Sequence, residues 1–297
     1  MSKFMGLERV LKDWLARCLW WSGSLALLRF LMWRDRVLVL VYHNPRPEVM
    51  SSHLSYLCRI AEPIKFSELG SPSNGRPRFV ITIDDGHAGN HQLIDVFRQY
   101  GVIPTIFICS QVVGTKRQFW WQFSDEIAAR CEQLKRRSNR DRLAALAAQG
   151  YRQEAEVEPA AALSLEDIES MKPYCEFQSH GRFHPILTCC DEEECEAEIT
   201  QSRIEVQQLT VRDCSYFAFP NGNYGKRELQ LLRSAGYLAA RTLDLGFNDA
   251  DSDPLRLKAV AVSDDCSTEW LSVQISMAPA YARYLRQGSW SGRSPQF

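Results

Sequence analysis

The chain has 297 residues, 35 Lys and Arg against 36 Asp and Glu, and a formal net charge of −1. That length fits one sizeable α/β domain with insertions, and a hydrophobic share of 45% with 24% charged residues is ordinary for a globular protein. The near-neutral balance gives no footprint for nucleic acid, and no tract reads as disordered, collagen-like or coiled-coil.

Residues 1–36 differ from the rest, with seven Lys/Arg against three acids and Trp14, Trp20, Trp21 and Trp33 interleaved with leucines. The longest uncharged stretch, Cys18–Leu28, is 11 residues, too short to span a bilayer, and no small-residue cleavage site follows it. Two readings stand: a helix packed on the domain, or a basic amphipathic helix lying on a membrane surface. The ten cysteines are scattered without a CxxC pair. They read as small hydrophobes of a reduced cytosolic chain, with no zinc site at Cys189, Cys190 and Cys195 and no disulfide framework.

Seven apolar runs predict buried strands: Val37–Tyr42, Phe79–Ile83, Thr105–Cys109, Glu176–Ser179, Tyr216–Phe219, Leu238–Thr242 and Leu257–Val262. Helical patterns lie between them. Leu93, Val96, Phe97 and Tyr100 share a face that Gly101 ends. Asp191 with Glu194 forms a capping box ahead of the stripe Cys195, Ile199, Val206 and Leu209. Leu229 and Leu232 mark a shorter helix closed by Gly236. Strand alternating with helix predicts an α/β fold with a mainly parallel sheet, open or closed into a barrel. The stretch 115–163 breaks the rhythm with aromatics, a Lys/Arg run and Ala/Leu-rich helix, and reads as a helical insertion near the barrel mouth.

Four strand ends carry groups capable of chemistry. Phe79–Ile83 runs into Asp84-Asp85-Gly86. Two adjacent buried carboxylates repel, and a cation relieves them, so that one can ligate while the other acts as a base. Glu176–Ser179 runs into His180-Gly-Arg-Phe-His184-Pro185, whose imidazoles can share one ion. With Asp85 they make two histidines and one carboxylate, leaving positions for water and substrate. Tyr216–Phe219 runs into Pro220-Asn221-Gly222. Pro220 has no N–H, so Asn221 offers the first donor to an oxyanion, if this is more than a plain turn. Val37–Tyr42 runs into His43. Such residues gathered at the C-terminal ends of several strands mark a (β/α)-barrel active site.

These residues resemble the polysaccharide deacetylases with a NodB-homology domain (carbohydrate esterase family 4). Thr82-Ile-Asp-Asp-Gly86 is similar to the family's first motif, Thr-Phe-Asp-Asp-Gly. His180–His184 matches its second, His-x-x-x-His, and Phe217-Ala-Phe-Pro-Asn-Gly222 resembles its third. The resemblance runs from about Val37 to Val262. It implies a distorted or incomplete (β/α) barrel over residues 37–275, between the N-terminal segment 1–36 and a tail 276–297. It also implies a single divalent metal, commonly zinc, with cobalt, nickel or manganese acceptable to the same donors, on Asp85, His180 and His184. Asp84 would be the general base, the Asn221 N–H an oxyanion donor, and the substrate an N-acetylated glycan or lipid-linked sugar.

The pattern departs from the family at two places. The acid histidine commonly lies in a late Leu-x-x-His motif, and no histidine follows His184. The chain resembles instead the permuted branch in which an early Tyr-His fills that role, which assigns the acid to His43. Ala218 stands where many members carry the arginine that steadies the base, leaving Arg241 or Arg256 as substitutes from neighbouring strands. His87 is expected to line the pocket, and His53 and His91 to be structural. An amino-sugar deformylase, another amide hydrolase and a weakly active glycan-binding homologue are the rivals. A location in the cytoplasm, near the inner face of a membrane, is expected.

Overall fold

In a computed structural model the described residues are 14, 16–72 and 75–277; most of the 276–297 tail and the start of the 1–36 segment lie outside them. Helix α1 (Ser24–Trp33) leads into β1 (Val37–Tyr42), α2 (Pro47–Ile60), the short β2 (Glu62–Pro63) and β3 (Arg78–Asp85). After α3 (Ile94–Tyr100) and β4 (Thr105–Ile108) come three small helices of the insertion, α4 (Asp125–Ala129), α5 (Cys131–Leu134) and α6 (Asn139–Ala148). The chain continues through α7 (Leu165–Met171), β5 (Glu176–Ser179), α8 (Glu192–Thr210), β6 (Tyr216–Ala218), α9 (Lys226–Ser234), β7 (Ala239–Arg241), β8 (Val260–Ala261) and α10 (Thr268–Ile275).

All paired strands are parallel, in the order β7-β6-β5-β4-β3-β1-β8 with β2 beside β3. The two ends of this sheet approach each other through the segment leading into β8. Leu257 pairs with Arg241 of β7, while Val260 and Ala261 pair with Leu40 and Val41 of β1. The sheet therefore curls into a distorted barrel. The expected 257–262 strand is split between two neighbours, so only its last part forms a regular ladder. Residues 62 and 63, a glutamate and a proline without an apolar run, gave no strand signal.

Period-two alternation divides the core. Val37, Val39 and Val41 pack with Val80, Phe107, Ala218, Ala259 and Ala261 inside the barrel. Leu38, Leu40 and Tyr42 of the same strand pack with Phe79, Ile81 and Ile83, beneath helix residues such as Met50, Leu54, Phe97 and Ile199. Every residue of β1 and of β3 is buried, which is why both read as continuous hydrophobic runs. The insertion has its own small core of Trp120, Ile127, Leu134, Leu146 and Tyr151.

Local signals set the helix ends. Asp191 accepts from Glu194 N while the Glu194 side chain accepts from Asp191 N, and Glu192–Glu194 sit at the positive end of α8. Gly101 ends α3 in the left-handed region. All ten cysteines are free.

Candidate active site

The carboxylates come first. Along β3, Asp84 follows Val80 and Thr82 toward the barrel interior, so ideal alternation would send Asp85 to the opposite side. Asp85 instead has φ 72° and Gly86 φ 81°, a left-handed turn that brings the second carboxylate back to the mouth. Only glycine fits at 86, since an added Cβ would lie 2.7 Å from Val113 and 2.9 Å from Ile108. Both carboxylates end near one imidazole: His180 Nε2 is 3.7 Å from Asp84 Oδ2 and 3.6 Å from Asp85 Oδ1. His184 Nε2 is 3.5 Å from Asp85 Oδ1.

His180 and His184 sit on an irregular loop after β5, held from beneath. Glu198 of α8 accepts from Arg182 N at 2.6 Å and from Phe183 N at 3.2 Å. Gly181 lets the loop pass this carboxylate, since a Cβ there would lie 2.9 Å from Glu198 Oε2. Glu205 accepts from the Arg182 guanidinium, and Trp120 Nε1 donates to His184 O at 3.1 Å. His180 Nδ1 faces Ala218 O at 2.8 Å; a carbonyl only accepts, so Nδ1 carries the proton and Nε2 presents its lone pair to the carboxylates.

The donors suit a divalent cation. One ligand atom from each of Asp85, His180 and His184 lies within 4.8 Å of the others, in the single such group found among the described residues. Asp85 Oδ1, the oxygen that faces both imidazoles, is buried with no hydrogen-bond partner, an unmet polarity that a bound cation at this spot would answer. Burial pushes the His184 imidazole down to about 3 and also lowers His180, so both are neutral and able to ligate at neutral pH. Burial alone would raise the Asp85 carboxyl. The hydrogen bond from His87 and the fields of His184, His87 and His43 outweigh it and hold that acid well below the usual range.

Four residues act from behind these groups. Arg241, fully buried on β7, reaches Asp84 with Nη2 at 2.6 Å from Oδ1 and 2.5 Å from Oδ2, its guanidinium over the Phe107 ring at 5.5 Å. Of the two candidates for the missing arginine it is the one at the site; Arg256 donates to Tyr224 Oη instead. In register, Arg241 pairs directly with Ala218. His87 is buried and places Nε2 3.1 Å from Asp85 Oδ2, with its ring against Phe119. It braces Asp85 and is not among the cleft-lining residues, contrary to expectation, because its side chain packs against Phe119. Asp264 accepts from His43 N and Asn44 N at 3.0 and 2.7 Å, and Asn90 donates to His43 O at 2.9 Å, fixing the turn that carries His43. The signals for Asp264 and Glu198 lie far along the chain from their partners, and sequence reasoning missed both.

A cleft of about 440 Å³ opens over these groups. His43, Asp84, Asp85, His180, His184, Asn221 and Leu243 line it from the barrel; Trp121, Ala128, Ala129, Cys131, Glu132 and Lys135 line it from the insertion. The Trp121 ring lies 4.5 Å from that of His184. All six expected site residues thus meet in one cleft. His53 and His91 lie apart from it: His53 bridges Tyr42 Oη and Cys266 O, and His91 Nδ1 contacts Ala88 O. Asn221 adopts φ 56°. Together with Asp85 and His184 (φ 57°) it makes three site residues in a region that non-glycine residues seldom occupy.

Residues 72–240 match the family model described as polysaccharide deacetylase. The chain belongs to that family. Its members hydrolyse amide bonds, and this polysaccharide deacetylase is therefore a hydrolase. No curated protein sequence matches it. Among solved structures it is similar to the Streptococcus pyogenes deacetylase PplD in complex with acetate (15% identity, TM-score 0.60, 82% of this chain and 99% of that one). It is likewise similar to IcaB from Ammonifex degensii (17%, 0.60, 82% and 97%) and to BC0361, a polysaccharide deacetylase from Bacillus cereus (16%, 0.60, 82% and 69%). At these identities the likeness establishes the fold, a parallel barrel of the NodB type.

Proposed function

We propose that this polysaccharide deacetylase removes the N-acetyl group from an amino sugar of a glycan or lipid-linked glycan precursor, releasing acetate. One divalent cation, zinc by its donor set, would be held by Asp85, His180 and His184. The observation that carries the reading is the convergence of this triad with a second carboxylate, Asp84, paired to a buried guanidinium.

A bound cation supplies polarisation of the acetyl carbonyl and acidification of the attacking water. The chain's own residues do the rest. Asp84, fixed by Arg241, accepts the water's proton as the new C–O bond forms. The Asn221 N–H donates to the developing oxyanion, as expected of a rigid turn at a strand end. His43 as the imidazolium gives its proton to the amine nitrogen as the C–N bond breaks, leaving acetate and a free amino sugar. The side chain of Trp121 offers a ring face for a sugar. The Arg241–Asp84 pair weighs against a degenerate binding protein, because the charge missing at Ala218 is supplied from the next strand.

The test is acetate release from N-acetylglucosamine oligomers by metal-stripped and zinc-reloaded protein, beside Asp84→Asn and His43→Ala. Release is expected only with zinc, reduced by about 10²–10⁴-fold in either variant while one zinc per chain is retained. Formate release from N-formyl sugars, without acetate release, would move the reading to a deformylase. Tight zinc binding with neither product would overturn the hydrolytic assignment of these substrates.

A further inference from the structure

Helix α1 is apolar on two sides. Its inner side is already docked: Leu25 and Trp33 are buried, and Leu25 packs with Ala16 and Val273. Arg29 donates to Ser272 Oγ at 2.7 Å and lies over the Tyr56 ring, against which the Trp20 ring also packs, tilted, with centroids 4.8 Å apart. These contacts fix the rotation of the helix and leave its other side outward. There Leu27, Phe30 and Leu31 are 61%, 68% and 66% exposed, at the i, i+3, i+4 spacing of a single face. Trp21, at 84%, Leu19 and Trp14 lie just before it. The other large exposed hydrophobics among the described residues, Leu165, Ile204, Val211 and Leu238, are scattered over different elements. A concentration of this kind marks an interaction surface.

We propose that this face docks on the surface of a bilayer containing anionic lipid. Charge decides the occupant. Exposed Arg17, Arg34 and Arg36 flank the apolar residues, and the segment 1–36 carries a balance of +4 from seven cations and three acids. A second copy would set one such cation group against another, whereas an anionic headgroup layer neutralises them. Tryptophans at the border of the patch suit the headgroup boundary. At ten residues α1 is about 15 Å long, too short to cross, and no helix among the described residues is long and apolar enough to do so. The helix therefore lies in the interface with its outer face immersed. Its C-terminal end is pinned where Trp33 Nε1 donates to Arg78 O, at the start of β3 and so at the opposite end of that strand from Asp84 and Asp85. Changes on the outer face of α1 leave the cleft untouched.

The experiment is co-sedimentation of the full chain with phosphatidylcholine vesicles, with or without 30 mol% phosphatidylglycerol (about that fraction, to set the surface charge). Binding is expected to the anionic vesicles and to weaken as salt is raised. The triple variant Leu27→Ser, Phe30→Ser, Leu31→Ser should lower the partition coefficient at least about tenfold, with an unchanged circular dichroism spectrum. Arg17→Glu with Arg34→Glu should lower it separately, without altering the apolar face. Absence of co-sedimentation, or equal binding by the folded triple variant, would overturn the proposal. So would a reversible dimer, split by the triple variant, in a protein that ignores vesicles; that outcome assigns the face to a second copy.

Discussion

A guanidinium inside a barrel carries a desolvation cost of several kcal/mol unless an anion meets it. Among the described residues Arg241 is met only by Asp84 as a hydrogen-bonding group, since its Nε and Nη1 have no partner there. The pair therefore does two things at once: it holds the Asp84 carboxylate in one orientation, and it makes Arg241 tolerable in the core. Arg241→Met, close in volume, is expected to lower kcat/KM on an N-acetylated oligomer by about 10²-fold or more, with zinc content unchanged. Full activity in the folded variant would show that the base needs no cation. Of the proposed ligands, Asp85 and His180 stood out in the sequence because each follows closely on an apolar run, with His184 four residues further on. Arg241 was legible only as one of two, since a chain read in order does not reveal which strands become neighbours. The bond from His87 to Asp85 was not legible, since it depends on a left-handed turn that residue type alone does not announce.

At the scale of elements, the His180–His184 loop depends on α8. Burial raises the Glu198 carboxyl to about 7, against the lowering effect of the Arg182 and Phe183 N–H groups, while an unfolded glutamate titrates near 4.5. Between those values the unfolded chain has released the proton and the folded chain still holds it. The group's stabilising contribution is thus complete below 4.5 and is lost as pH rises through 7. Glu198→Gln removes this slope. Relative to the parent protein the variant should gain stability between pH 5 and pH 8, by up to about 3 kcal/mol, in urea melts of metal-free protein. The comparison with the parent cancels the opposite trend from His53 and His184, both pushed down by burial. An unchanged difference across that range would show that Glu198 ionises as it does in the unfolded chain. The helix was legible from its capping box and stripe, but its role as the floor of a loop was not, because Glu198 reads as one more solvated acid.

For the whole molecule, the order of strands and helices was readable from periodicity, and the closing of the barrel was not. Closure rests on single pairings of Leu257, Val260 and Ala261 that no run of residues foretells. The insertion was recognised by its broken rhythm, yet its part in walling the cleft emerged only in three dimensions. The proposed ligands lie on β3 and on the loop after β5, so a cation joining them ties separate parts of the barrel together. Zinc at 100 times its dissociation constant should stabilise the fold by about 2.7 kcal/mol. The melting temperature should then rise by about 5 °C or more, an increase absent in His184→Ala. Identical melting with and without zinc would remove the triad from the fold's energetics.

The pairing of Ala218 with Arg241 across one ladder rung has a consequence for substitution. The two backbones stand one strand apart, about 4.8 Å. Moving the arginine from 241 to 218 therefore takes two changes, and neither order is free of cost. Ala218→Arg made first crowds two guanidinium groups beside one carboxylate, and Arg241 removed first leaves a buried acid without its cation.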